Sequence, residues 1–120
     1  MAVEIKSAHV NQSQIDGVKS YLIKDEILYA VYGCKGHPPG LLGVTDRRLI
    51  LYNPELGDKT LMSIPFGKII GVATPDTGAP FESETITVMT AAGNFKFQLN
   101  GDGLARWVYN NIMTAVLKSN

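Results

Sequence analysis

The sequence predicts a mainly β domain. Seven short antiparallel strands bend into a sandwich or partly open barrel, capped by a C-terminal helix and preceded by a short N-terminal helix. Three observations lead there. Thr85-Ile86-Thr87-Val88 and Phe95-Lys96-Phe97-Gln98-Leu99 alternate strictly, as strands with one apolar and one wet face do. Most strand-like runs are separated by short turns, whereas parallel neighbours need a crossover of about a dozen residues or more. Finally, Leu104, Trp107, Val108, Ile112 and Ala115 recur at three and four residues, the stripe of an amphipathic helix.

In chain order, Met1 to Val10 fits either a loose tail or an extra edge strand. Residues 12–23 carry Ile15, Val18 and Leu22 at helical spacing, with Asn11 or Ser13 able to cap the first turn. Gly17 opposes this helix by about 1 kcal/mol relative to Ala. Ile27 to Tyr32 is rich in aromatic and β-branched residues and is broken by the Gly- and Pro-containing stretch from Gly33 to Gly40. Leu41 to Val44 and Leu49 to Tyr52 flank Thr45-Asp46-Arg47-Arg48, a hairpin turn in which Asp46 can bond its own neighbouring backbone. Leu61 to Phe66 follows, with Met62, Ile64 and Phe66 on one side and Ser63 and Pro65 on the other. Pro65 cannot donate to a ladder, so it belongs at an edge or a strand end. Ile69 to Thr74 is the fifth strand, and Ala92-Gly93-Asn94 joins the last two. The C-terminal helix, with Asp102 as cap, closes the barrel end with Trp107 as a plug against Phe95 and Phe97.

The 120 residues suit one domain, residues 1–120 with a core over about 15–116. Hydrophobic residues at 45% and charged residues at 18% describe a folded soluble chain rather than a disordered one. Eleven basic and eleven acidic residues balance to zero, which argues against a protein that grips nucleic acid or anionic membrane by bulk charge. The one cysteine, Cys34, excludes an internal disulfide and any multi-cysteine zinc site. Glu4 and Lys6 interrupt the start, so no secretory signal is expected, and no apolar run reaches the length of a membrane-spanning helix. A cytoplasmic location is the default expectation. Asn11-Gln12-Ser13 then reads as a capping turn rather than a glycosylation site.

Two segments carry a family resemblance. Gly43-Val44-Thr45-Asp46-Arg47-Arg48-Leu49-Ile50-Leu51 matches a G-x-T-D-x-R-L-hydrophobic hairpin. Ile64-Pro65-Phe66-Gly67-Lys68-Ile69-Ile70-Gly71-Val72 is similar to an I-P-[YF]-x-x-I-x-x-V segment. In this order, and followed by a helix bearing a tryptophan, they resemble the bacterial pleckstrin-homology-like domains, over about Ile15 to Val116. The eukaryotic GRAM domain shares that fold. The resemblance implies a seven-stranded sheet with a capping helix, and it makes Thr45, Asp46 and Arg48 the structural residues of the hairpin. It also implies that any lipid headgroup would sit between the loops after the first and third predicted strands.

Those loops are poor in cations. Cys34 to Gly40 holds Lys35 and His37, the candidate residues for a weakly held anion, while Asn53 to Asp58 carries two carboxylates. Multivalent phosphate recognition needs converging Arg and Lys. Arg47 and Arg48 alternate faces along a strand, so one is expected in solvent and the other in a cross-strand ion pair. The acidic pairs Asp25-Glu26 and Glu82-Glu84 read as solvated turns. No nucleophile elbow, HExxH motif or phosphate-binding glycine loop is present, so neither an enzyme nor a cofactor is expected. Cys34 reads as an inert small residue despite Lys35 beside it. The expected role is protein interaction or self-assembly through open strand edges, with weak binding of an anionic headgroup or small anion as the alternative. The first predicted strand adds to this, because Ile27, Tyr29 and Val31 on one face and Leu28, Ala30 and Tyr32 on the other are nearly all apolar. Either the N-terminal helix or another subunit must cover its second face.

Overall fold

A computed structural model of the chain describes residues 6–8, 10–35, 40–53, 60–74, 85–99 and 105–119. The elements run β1 (Lys6–Ala8), α1 (Gln12–Lys19), β2 (Leu28–Lys35), β3 (Gly40–Thr45), β4 (Arg48–Asn53) and β5 (Thr60–Pro65). A single 3₁₀ turn (Phe66–Lys68) then leads to β6 (Ile69–Ala73), β7 (Thr85–Thr90), β8 (Gly93–Leu99) and α2 (Ala105–Lys118). The seven predicted strands are β2 to β8. They form one antiparallel sheet in the order β5-β4-β3-β2-β8-β7-β6.

The N-terminal segment adds an eighth strand that breaks the antiparallel rule. β1 pairs with β2 in parallel, Lys6 opposite Ala30 and Ala8 opposite Tyr32. The parallel pairing is possible because the connection runs through α1, which supplies the long crossover. β1 also fills a gap. β2 meets β8 only at Cys34↔Leu99 and Lys35↔Gln98, and β1 takes the same edge further down, at Ala30, Val31 and Tyr32.

Helix α1 is shorter than its periodicity suggests, ending at Lys19 rather than continuing past Leu22. Its start is held by a reciprocal capping box. The Gln14 N–H donates to Asn11 Oδ1 and the Asn11 N–H donates to Gln14 Oε1, both at 2.9 Å. The helix lays Ile15 and Val18 on Leu28, Val31, Leu41 and Ile50, forming a small second core on the outer face of β2-β3-β4. The second apolar face of β2 is thus covered by α1. The face assignment along β2 differs from simple alternation, since Leu28 shares this core with Val31 while Ala30 and Tyr32 face the other. A register shift explains it: Leu28 pairs with Thr45 and Ala30 with Val44, leaving Tyr29 as an extra, bulged residue. Gly43 permits the close approach of α1, because a Cβ there would lie 3.1 Å from Val18 Cγ1.

The main core lies inside the bent sheet and is closed by α2. Leu42, Leu49, Ile86, Val88 and Leu99 from the strands meet Val108 and Ile112 from the helix, all essentially inaccessible to water. Buried positions on α2 are Ala105, Val108, Ile112, Ala115 and Val116. Trp107 lies off this stripe, and it is not the plug expected from sequence. It is 38% exposed and meets Tyr32 edge-on, with ring centroids 5.5 Å apart. Adjacent helix positions differ by about 100° in direction, so burying Val108 turns Trp107 toward the rim. Phe97 is buried in the main core and Phe95 packs partly buried against it.

Candidate functional site

The hairpin that carries the family motif is organised around a buried ion pair. Arg48 donates through Nε to Glu26 Oε2 and through Nη2 to Glu26 Oε1, each at 2.8 Å, the fork geometry that suits guanidinium and carboxylate. The same arginine reaches the Tyr21 carbonyl at 3.0 Å and the Ser63 hydroxyl at 2.8 Å. Thr45 Oγ1 donates to Glu26 Oε2 at 2.8 Å and accepts from the Arg47 and Arg48 N–H groups at 3.0 Å. Asp46 bonds a distant backbone, that of Ile27, where the sequence suggested its own neighbouring backbone. Its carboxylate accepts from the Ile27 N–H and its N–H donates to the Ile27 carbonyl, both at 3.0 Å. Three segments are thereby tied together: the α1–β2 connection, the β3–β4 hairpin and β5.

Glu26 is the residue that sequence reasoning misplaced. Its side chain is fully buried rather than solvated, and Asp25 before it adopts the left-handed backbone, φ 66°. Burial opposes the charge, but the Arg48 guanidinium, the Ile23 N–H and the Thr45 hydroxyl outweigh it and hold the carboxyl down at about 2. Because the folded value lies below the ordinary 4.5, the associated stability is complete above about pH 4.5 and disappears as pH falls toward 2. A shift of this size corresponds to about 3 kcal/mol. Acid unfolding followed by circular dichroism should show this loss in the wild type, and Glu26→Gln should flatten it. An unchanged acid slope in that variant would place the sensitivity elsewhere.

The remaining predicted residues are dispersed. His37 and the Lys35 side chain lie outside the described residues, as do Glu82 and Glu84. Arg47 is exposed, 3.8 Å from Asp46, whereas Arg48 makes its pair with Glu26 across the width of the hairpin rather than with an adjacent strand. Cys34 sits at the β2–β8 junction, where burial pushes its thiol up to about 12, so it is a neutral small residue at physiological pH. Among the described residues no group of three or more His, Cys, Asp or Glu could hold a metal ion. No helix among them is long and apolar enough to cross a membrane.

Among the described residues, what the sheet does present is two edges without a strand partner. β5 and β6 end the strand order and are joined by the 3₁₀ turn at Phe66–Lys68. β5 ends in Pro65, which removes a donor from its edge. β6 reads IIGVA, with neither charge nor proline, and Ile70 is 75% exposed on it. Beside it, Val72 to Thr74 with Arg106 and Tyr109 of α2 line an open hollow of about 250 Å³. Native proteins usually blunt an edge with charge, proline or cover; β6 itself holds neither charge nor proline, and Arg106 and Tyr109 of α2 lie beside its end at Val72 and Ala73.

Comparison with known proteins follows this architecture. The crystal structure of a pleckstrin homology domain from Shewanella amazonensis superposes with a TM-score of 0.68 at 18% identity, covering 88% of this chain and 97% of that one. The C-terminal domain of an unknown protein from Leishmania infantum gives 0.60 at 17% identity, covering 88% and 94%. At such identities the likeness speaks for the fold. No curated protein matches the sequence. The bacterial PH domain family matches residues 23–112, a span that holds the Glu26–Arg48 knot, all seven antiparallel strands and most of α2. This chain belongs to the bacterial PH domain family.

Proposed function

We propose that this domain is a non-enzymatic binding module of the bacterial cytoplasm, built as one unit over about residues 15–116. It pairs with protein through the edge of β6, and a second copy of the chain is its first partner. The observation that carries this reading is the β6 edge at residues 69–71, which holds neither charge nor proline and leaves Ile70 exposed. Backbone groups on a free edge are a template for another strand, and apolar side chains beside them add area to the contact. A second β6 is a chemically matched occupant, since neither copy brings a charge to be buried. Pairing of β6 with β6 about a two-fold axis also gives a closed assembly rather than a fibre.

Light scattering coupled to size-exclusion chromatography tests this. The wild-type chain should run above monomer mass and dissociate on dilution. Ile70→Lys should weaken the association about tenfold or more, as loss of one apolar anchor of about 1.5–3 kcal/mol implies. Ile70 lies outside both cores, so the variant should keep its melting temperature. A wild-type monomer at every concentration, or an oligomer indifferent to Ile70→Lys, would refute the proposal.

A further inference from the structure

A second cavity, remote in sequence from the β6 edge and independent of the role proposed for it, lies where β1, β2 and the C-terminal half of α2 meet. Its volume is about 180 Å³. Ala30, Val44 and Ala115 form its inner wall and are almost fully buried, so the interior is apolar. Its exposed lining is of a different kind. Lys6 of β1 and Lys118 of α2 both contribute, and no carboxylate is among the lining residues. Neither lysine forms an ion pair among the described residues. Lys6 Nζ donates once, to Asn111 Oδ1 at 3.2 Å, and Asn111 in turn donates through Nδ2 to the Tyr32 hydroxyl at 2.7 Å. An ammonium has three protons to donate, so this short relay fixes Lys6 beside the cavity and leaves donors for a ligand.

We propose that this cavity binds a small monocarboxylate with an apolar, ring-sized body. The charge argument selects an anion, because two ammonium groups flank an opening without a compensating acid. The apolar wall selects a ligand with a hydrophobic body over inorganic phosphate, whose desolvated oxygens would find no donors on Ala30, Val44 or Ala115. The volume sets the scale, since a cavity of about 150 Å³ is enough to hold benzene. The position of β1 completes the site. Lys6 reaches it only because the N-terminal strand pairs with β2 along the stretch that β8 leaves free. The site therefore depends on the parallel strand.

Titration with sodium benzoate, followed by amide and methyl NMR, tests the assignment. Saturable shifts at Ala30, Val44, Ala115 and the Asn111 side chain are expected in the millimolar range typical of so small a ligand. Acetate, which lacks the body, and benzyl alcohol, which lacks the charge, should each bind about tenfold more weakly or worse. Lys118→Gln and Lys6→Gln should each weaken benzoate about fivefold. Thr114→Trp, which places a bulky group at the exposed part of the lining, should abolish binding with the melting temperature unchanged. Shifts that grow linearly without saturation would overturn the proposal. So would benzyl alcohol binding as well as benzoate, or undiminished binding in Lys118→Gln or Thr114→Trp.

Discussion

Replacing Arg48 with methionine should destabilise the domain by about 3–5 kcal/mol, the range seen when one partner of a buried ion pair is removed. The size follows from what is left behind. Glu26 would keep a fully buried carboxylate with only the Ile23 N–H and the Thr45 hydroxyl as donors, and the Tyr21 carbonyl and Ser63 hydroxyl would each lose a partner. Without the guanidinium, burial should dominate and lift the carboxyl above its ordinary value, which reverses the sign: the variant should regain stability as pH falls, where the wild type loses it. Chemical denaturation of Arg48→Met, repeated with Glu26→Gln/Arg48→Met, separates the terms. The double variant should recover part of the loss because it removes the stranded charge. A single variant within 1 kcal/mol of wild type would mean that the knot contributes little, with about 0–1 kcal/mol being the range for surface pairs.

The second large effect distinguishes the residue that closes the barrel from the one that resembles a plug. Ile112→Ala should cost about 2–5 kcal/mol, since Ile112 is fully buried in the main core and its loss leaves a cavity. Trp107→Ala should cost less, about 1–2 kcal/mol, because the ring is more than a third exposed and what it loses is chiefly its edge-on contact with Tyr32. Equilibrium urea unfolding of the two variants ranks them directly. The reverse order would restore Trp107 as the core residue and require a rotated helix.

The contrast between these residues shows what the sequence could and could not reveal. Alternation in Thr85 to Val88 and Phe95 to Leu99 is a local consequence of the pleat, and Ile86, Val88, Phe97 and Leu99 are indeed buried. The hairpin motif was legible as a string, but its chemistry was not. Glu26 lies 22 residues before Arg48, and nothing in a solvated-looking Asp-Glu pair announces that a distant guanidinium will meet it. The available clue was Thr45, whose hydroxyl serves the turn and still has a proton to give. In α2 the three-and-four spacing marks Val108, Ile112 and Ala115 as buried, while the size of Trp107 misleads, since residue size says nothing about which side of a stripe faces inward. The bulge at Tyr29 and the parallel strand at Lys6–Ala8 depend on long-range pairing, which no local pattern encodes. The free β6 edge was half visible. Its uncharged residues can be read directly, but its place at the end of the sheet is a property of topology.

That edge is also where the functional account is most exposed to refutation. Amide hydrogen exchange across Ile69–Ala73, measured from about 5 to 500 µM protein, reads the pairing of β6 residue by residue. Outward-pointing amides of β6 should gain protection as concentration rises, and Ile70→Lys should move that gain to about tenfold higher concentration or beyond. Rapid exchange of the same amides at every concentration would contradict the account, as would concentration-dependent protection confined to another surface.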